Sequence, residues 1–307
     1  MAKTTLKKKT AQPDADYEYE RLQLSNKPGS LPYIWKRVRK DPAALISIIF
    51  LVLLIAFSLL SPYIVPYSYK AINPLESKLP PFTAGHLLGT DEVGRDILSR
   101  VLYGARYTIL IGIGSTVLAF LAGAIIGAIA GYYGGLIDSI LMRFLDVFQS
   151  FPNIAIALLF AAVFGAGFIN IIYALAISST PPFARMMRAQ ILSIQGSEYV
   201  EAAQSINCST FRTIVRHIIP NAISPAIVQI TMNIANAGLR ASALSFLGFG
   251  VKPPTPEWGA MLSTSRNYMR DYPHMVIIPG LFIMLTVLAF SMIGDAVRDA
   301  MDPKLKN

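Results

Sequence analysis

The chain has 307 residues, 53% of them hydrophobic and only 15% charged, against roughly 25% charge in soluble globular domains. So apolar a chain cannot keep a water-facing surface, which makes lipid its solvent and excludes an ordinary soluble enzyme. The net charge of +9 does not point to nucleic acid: ten basic residues precede Ala43, in front of the first apolar run, as on a cytoplasmic membrane flank.

Residues 1–30 are polar and poor in aliphatics, which reads as disorder. Leu31, Ile34, Trp35 and Val38 then recur at helical spacing among Lys36, Arg37, Arg39 and Lys40, predicting a short helix in the headgroup layer. Asp41 and Pro42 make a helix start, with Asp as N-cap and Pro at the first helical position. The run 43–65 is predicted as an uncleaved first span, because its basic lead is too long for a signal peptide and no small-residue cleavage site follows. In the loop 66–106, Ile97, Leu98, Val101 and Leu102 suggest an interfacial helix feeding the second span. Its acids Asp91, Glu92 and Asp96 lack EF-hand spacing and read as a solvated helix start.

Tyr107 to Ile137 carries no charge and gives a second span to about Ala130. Within it Gly123, Gly127 and Gly131 recur every fourth residue, a small-residue stripe that lets another helix approach closely. Val147 to Ala184 is again uncharged, and as one helix would be roughly 57 Å long at 1.5 Å per residue, about twice a hydrocarbon core. Gly165-Ala166-Gly167 offers a turn, so two spans are predicted there. Asp138 and Asp146 flank Arg143, which is their nearest partner in sequence. Ala222 to Leu247 and Met275 to Ile293 complete six predicted helices.

The segments 1–42, 131–143, 183–221 and 295–307 hold 18 Lys or Arg, and the loops 66–106 and 249–274 hold 8. The excess places both termini in the cytoplasm. The expected organisation is an all-α integral membrane protein: tail and interfacial helix 1–42, first helix 43–65, extracytoplasmic loop 66–106, five-helix core 107–294, and tail 295–307.

The single cysteine, Cys208, leaves no intrachain disulfide, and His86, His217 and His274 have no metal-ligand spacing. No G-x-x-x-x-G-K-[ST] occurs, and no acidic or histidine pair lies deep in a span as a proton relay would need. No cofactor is expected on this chain, and the energy for any uphill transport must come from another one. No Ser, Asp or His constellation argues for a membrane-embedded enzyme.

The segment 183–221, about 40 residues between spans, is long enough to need a purpose. A short helix is predicted around Ser197 to Ile206 and a break at Asn207-Cys208-Ser209. A second helix comes next, with Phe211, Ile214, Val215, Ile218 and Ile219 on one face, capped by Ser209 or Thr210 and ended or kinked by Pro220. Such an elbow suits a partner's groove.

Glu201-Ala202-Ala203, a turn, and then Ile218-Ile219-Pro220-Asn221 resemble the E-A-A loop of bacterial ABC importer permeases. The resemblance implies the type I ABC importer transmembrane fold, with Glu201, Ala202, Ala203, Asn207 and Pro220 at the contact with an ATPase subunit. Asn207 stands where the family has Gly, and Asn is the next residue to tolerate a left-handed backbone. LGTDEVGRDILSRVLYGAR (88–106), DVFQSFPN (146–153), ALSFLGFGVKPPTPEWGAML (243–262) and GDAVRDAMDPK (294–304) are similar to the dipeptide/oligopeptide branch. Nickel, opine and antimicrobial-peptide systems share these strings. The resemblance implies further partners: a homologous permease, two ABC ATPases that bind the ATP and Mg, and an extracytoplasmic substrate-binding protein. A passive channel without an ATPase is the rival from another class.

Arg240 is the one charge well inside a span. It either faces the transport path, where it could meet a peptide carboxylate, or snorkels to the outer surface or pairs with a neighbouring subunit. The sequence favours the second. The branch often carries an acid at the position of Ala241, which this chain lacks.

Overall fold

The computed structural model describes residues 31–83 and 85–301. The readings of residues 1–30 and of the last six residues lie outside the described residues, as do the side chains of Phe211, Val215 and Pro220. Ten helices carry the described chain: α1 Leu31–Val38, α2 Pro42–Ile64, α3 Ile97–Tyr133, α4 Gly135–Gln149, α5 Asn153–Phe164, α6 Phe168–Ile194, α7 Glu198–Ser205, α8 Ile219–Phe246, α9 Trp258–Ser265 and α10 His274–Met301. One helical turn, Thr210–Arg212, and a π-helical stretch, Thr213–Ile218, lead into α8. Extended pairing among the described residues is limited to two isolated bridges in the loop before α3.

α1 is helical as expected, and its apolar edge packs on the protein itself. Ile34 and Val38 are buried against Ala296, Val297 and Ala300 of α10, while Trp35 points outward. This contact puts the beginning and end of the described chain on one side of the molecule. Asp41 caps α2 as predicted, its Oδ1 accepting from the Ala43 and Ala44 amides at 2.8 and 3.3 Å. Along α2 the buried residues Ala44, Ser47, Leu51, Leu54, Ser58 and Ser61 succeed one another at three- or four-residue steps. The other faces, with Ile46, Ile49, Val52, Leu53 and Leu60, are exposed apolar surface fit for lipid.

α3 begins ten residues before the expected second span and runs unbroken for 37 residues, roughly 56 Å. The predicted interfacial helix is therefore its first turns. Those turns are buried: Ile97 and Val101 pack with Trp258, Met261 and Met275, and Trp258 donates its indole N–H to the Val101 carbonyl at 3.0 Å. α9 is thus folded into the protein, where sequence suggested only a loop. The carboxylate of Glu257 starts it, accepting from the Gly259 and Ala260 amides at 3.0 and 2.9 Å.

The uncharged stretch 147–164 does not form one straight span. α4 and α5 meet at 90° across Ser150-Phe151-Pro152. Pro152 cannot continue α4 with a helical amide, and α5 alone, at 12 residues, covers only about 18 Å. The turn at Gly165-Ala166-Gly167 is present, with Gly165 at φ +78°. α6 then passes through Pro181 and Pro182 and continues to Ile194, so the expected long loop from 183 begins as helix. Close packing on α3 holds it there.

That packing runs along the glycine stripe. A Cβ on Gly127 would meet the Ala184 carbonyl oxygen at 2.3 Å and Met187 Cβ at 2.8 Å; one on Gly123 would meet Phe183 Cβ at 2.6 Å, and one on Gly131 would meet Ile191 Cβ at 3.0 Å. The predicted close approach is real, and its partner is α6. α8 packs against α3, α6 and α10 through fully buried Ala222, Ala226, Ala237 and Ala241.

Of the six predicted spans, α2, α3 and α10 are long and apolar enough to cross a membrane, and the bent pair α4–α5 makes a fourth. α6 and α8 have the length, 27 and 28 residues, but their polar residues and interior positions keep them below that standard of composition.

The stripe generates a paired prediction. Gly127→Ala has no room and lowers the thermal stability of the detergent-solubilised protein by about 1–3 kcal/mol. Gly238→Ala, whose new Cβ meets nothing within 4 Å, leaves stability unchanged or slightly raised.

Candidate functional site

The elbow is built as the sequence suggested, with one difference at its far end. α7 closes at Asn207, which adopts φ +59°, the left-handed region that its side-chain amide tolerates better than a branched residue would. The Cys208 amide then donates to the Ala203 carbonyl at 3.0 Å, the six-to-one bond of a Schellman ending. Ser209 occupies the next N-cap position but makes no side-chain capping bond. Pro220 neither ends nor breaks the helical run from Thr210 into α8. It lacks an amide for the ordinary ladder, and the ladder shifts in the turn before it: the Ile219 amide donates to the Ile214 carbonyl in a π-helical step.

Val200, fully buried, anchors α7 in a small apolar cluster with Ala128 of α3, Ile191 of α6 and Ile218. The Gln195 side chain also donates to the Tyr132 carbonyl at 3.1 Å. The elbow is therefore fastened to the ends of α3, α6 and α8 at once.

Glu201 and Ala202 lie exposed on the outer side of α7. Ala203 does not: it is 5% exposed and faces the chain itself, because the three consecutive residues turn through most of a helical circle. The expected trio of contact residues thus divides into two that are free to meet a partner and one that seats the helix. Tyr199 at 44% and Ile206 at 80% exposure join the outward face. The sequence reading passed over both, although large apolar groups beside EAA could have drawn attention.

Just before the elbow, Arg188 of α6 holds Asp138 of α4 through two hydrogen bonds, and Arg185 holds Asp146. The acids are thus not partnered by Arg143, which lies between them in sequence. Four-residue steps put Asp138 and Asp146 on the side of α4 that faces α6, where the arginines of α6 reach them, while Arg143 is exposed at the edge of the same cleft.

At the opposite end of the molecule the loop 66–96 has an ionic core. Asp91 accepts from the Arg95 Nε at 2.6 Å, and Asp96 caps α3 by accepting the Ser99 amide at 2.7 Å. Both acids are buried, at 5% and 2% exposure, so the expected solvated helix start is incorrect: arginines and a helix terminus replace the water. Buried Arg100 donates to the Tyr69 and Pro254 carbonyls at 3.1 and 3.2 Å, tying this loop to the one before α9. His86 stacks on Tyr67 and places Nδ1 2.9 Å from Asp96 and Nε2 3.4 Å from Glu76. Burial works against its charged form, yet the hydrogen bonds and charges of the two carboxylates outweigh burial and hold its pKa above the usual histidine value.

Arg240 turns inward. It donates to Ser179 Oγ on α6 at 3.0 Å and to Asn233 Oδ1 at 3.1 Å, so it does not snorkel to the outer surface. Ala241 is fully buried in an apolar cluster with Ile111, Ile171 and Leu244, so the difference from the branch at that position lies in packed core.

Residues 123–307 match the family described as the binding-protein-dependent transport system inner membrane component, and residues 32–81 match the N-terminal TM domain of oligopeptide transport permease C. The chain belongs to that transport family. Among its relatives, the dipeptide transport system permease protein DppC of Alkalihalophilus pseudofirmus is 40% identical over 273 residues, spanning 89% of this chain and 90% of that one. The di/tripeptide permease DppC of Pseudomonas aeruginosa is 38% identical over 286 residues, covering 91% and 94%. The glutathione permease GsiD of Pectobacterium atrosepticum is 40% identical over 273 residues, covering 89% and 91%. A chain of the inward-facing MetNI methionine ABC transporter superposes with a TM-score of 0.52 at 16% identity, covering 66% of this chain and 97% of that chain. The fold is that of a type I ABC importer transmembrane subunit, and the chain is a membrane-embedded permease.

Two outcomes are expected from these sites. Asn207→Gly preserves the elbow, whereas Asn207→Val costs about 1–2 kcal/mol of local strain and raises amide exchange across 198–210. For the loop, a raised folded pKa for His86 means stabilisation that is complete below about pH 6.5 and is lost as pH rises through the folded value. Thermal unfolding against pH should show that decline in the wild type and lose it in His86→Phe.

Proposed function

We propose that this permease imports short peptides by alternating access, paired with a homologous permease and driven by two ABC ATPases. The anchored elbow carries this reading: a helix with an exposed Glu201–Ala202 face, rooted in the ends of α3, α6 and α8, and no nucleotide-binding motif in the chain. The dipeptide, di/tripeptide and glutathione transport named for the relatives supports the peptide cargo. A binding protein outside delivers the peptide to a mouth formed by both permeases. ATP binding closes the ATPases, which bind the ATP and Mg, and they move the elbow; hydrolysis resets it. Glu201, Ala202, Asn207 and the Pro220 region form the docking side. Ala203 contributes by letting α7 lie close to its own chain. The basic excess on 1–42, 183–221 and 295–307 supports cytoplasmic termini, and the contact between α1 and the end of α10 is consistent with both lying on that side.

Ala202 is the residue on which to test this, because it is exposed and its enlargement leaves the interior untouched. In the reconstituted complex, Ala202→Trp should leave membrane insertion and thermal stability at wild-type values while ATP-dependent peptide uptake falls at least tenfold. Uptake at the wild-type rate, or purification of the intact complex without P-loop subunits, refutes the assignment.

A further inference from the structure

α8 bears two polar side chains seven residues apart, Asn233 and Arg240, which share a face after two helical turns. They do not act separately. The Arg240 guanidinium donates to Ser179 Oγ on α6 at 3.0 Å and to Asn233 Oδ1 at 3.1 Å, while Asn233 donates through Nδ2 to Thr116 Oγ1 on α3 at 3.0 Å. Three helices are thereby stitched together by neutral partners around one cation. Arg240 lies six residues before the end of α8, about 9 Å in from it.

The charge itself is left uncancelled. None of the ion pairs among the described residues involves Arg240, and its Nε is buried without a hydrogen-bond partner. An arginine inside a membrane protein is costly unless something anionic or wet meets it. Asn236, exposed one turn away on α8, adds another polar group to this side of the helix. A guanidinium held by a hydroxyl and an amide is pre-oriented, and its planar fork matches a carboxylate in two-point geometry. An unmodified linear peptide has such a group at its C-terminus.

We propose that Arg240, positioned by Ser179 and Asn233, receives the free carboxylate of the cargo on its way past the outer part of α8. This rests on the reading of the chain as a peptide permease, and it adds a chemical requirement: the cargo is recognised inside the membrane domain by its negative end.

The test uses the complete transporter with its binding protein in proteoliposomes, a dipeptide and its C-terminal amide. Because the binding protein is the same throughout, the change in the acid-to-amide ratio between wild type and Arg240→Gln reports on the permease alone. Arg240→Gln should lower kcat/KM for the acid about tenfold, leave the amide unchanged, and bring the ratio towards one; Arg240→Lys should restore part of the loss. Equal slowing of acid and amide would overturn the proposal in favour of an ion pair with a carboxylate of the second permease, and unchanged rates for both would overturn it outright. If the binding protein does not deliver the amide, a photoreactive dipeptide with a free carboxylate decides: labelling of α8 should be lost in Arg240→Gln, and retained labelling refutes the site. A wild-type complex that takes up neither peptide fails the underlying reading as well, which separates the two kinds of failure.

Discussion

The backbones of α3 and α6 approach so closely that no side chain fits between them at Gly123, Gly127 or Gly131, where Phe183, Ala184, Met187 and Ile191 fill the space. In lipid the hydrophobic effect does little to join helices, so contact area and backbone proximity must do it. The glycines supply both. With this pair closed, α6 continues as one helix through two prolines, and its far end lies beside the end of α3. The elbow, the ion pairs with α4 and the seat of α8 all depend on that placement.

The same pair fixes where the elbow sits. Val200 docks α7 where three long helices end, and the left-handed turn at Asn207 returns the chain towards α8 without a long linker. A flexible connection would absorb a displacement of α7, whereas a buried side chain and a closed Schellman ending transmit it. The two arginines of α6 that hold α4 extend the same rigid group to the bent α4–α5 pair. These contacts make the end of the bundle that carries the elbow one connected body.

The opposite end is organised by different physics. In the loop 66–96 large apolar groups such as Ile72, Leu75, Phe82 and Leu87 stay exposed, and buried ion pairs around Asp91, Arg95 and Asp96, together with Arg100 bridging to residue 254, hold it in place. Buried charges contribute little net stability but specify a unique arrangement when every partner is present. Between the two ends, the Arg240–Asn233–Thr116 chain brings a charged group into the interior of the helix bundle.

Much of this was legible in the residues alone. Asp41 as a cap, the glycine stripe, the turn at Gly165, the helix–break–helix of the elbow and the left-handed Asn207 are local rules of backbone chemistry, which operate within a few residues and can be read from neighbours in the chain. The apolar edge of the helix at Leu31, the separate interfacial helix at Ile97, the solvated acids before α3 and the partnership of Arg143 all assumed that a segment's surroundings resemble its own composition. They do not: Ile97 lies under Trp258, Val38 under Ala296, and Asp138 and Asp146 against arginines about 40 to 50 residues away. Sequence therefore determined the membrane setting, the helical class and the elbow, because hydropathy and turn chemistry are properties of short stretches. Only the tertiary structure decided which face of each helix is buried and which charge meets which, because those depend on the distance between groups that the chain order keeps apart.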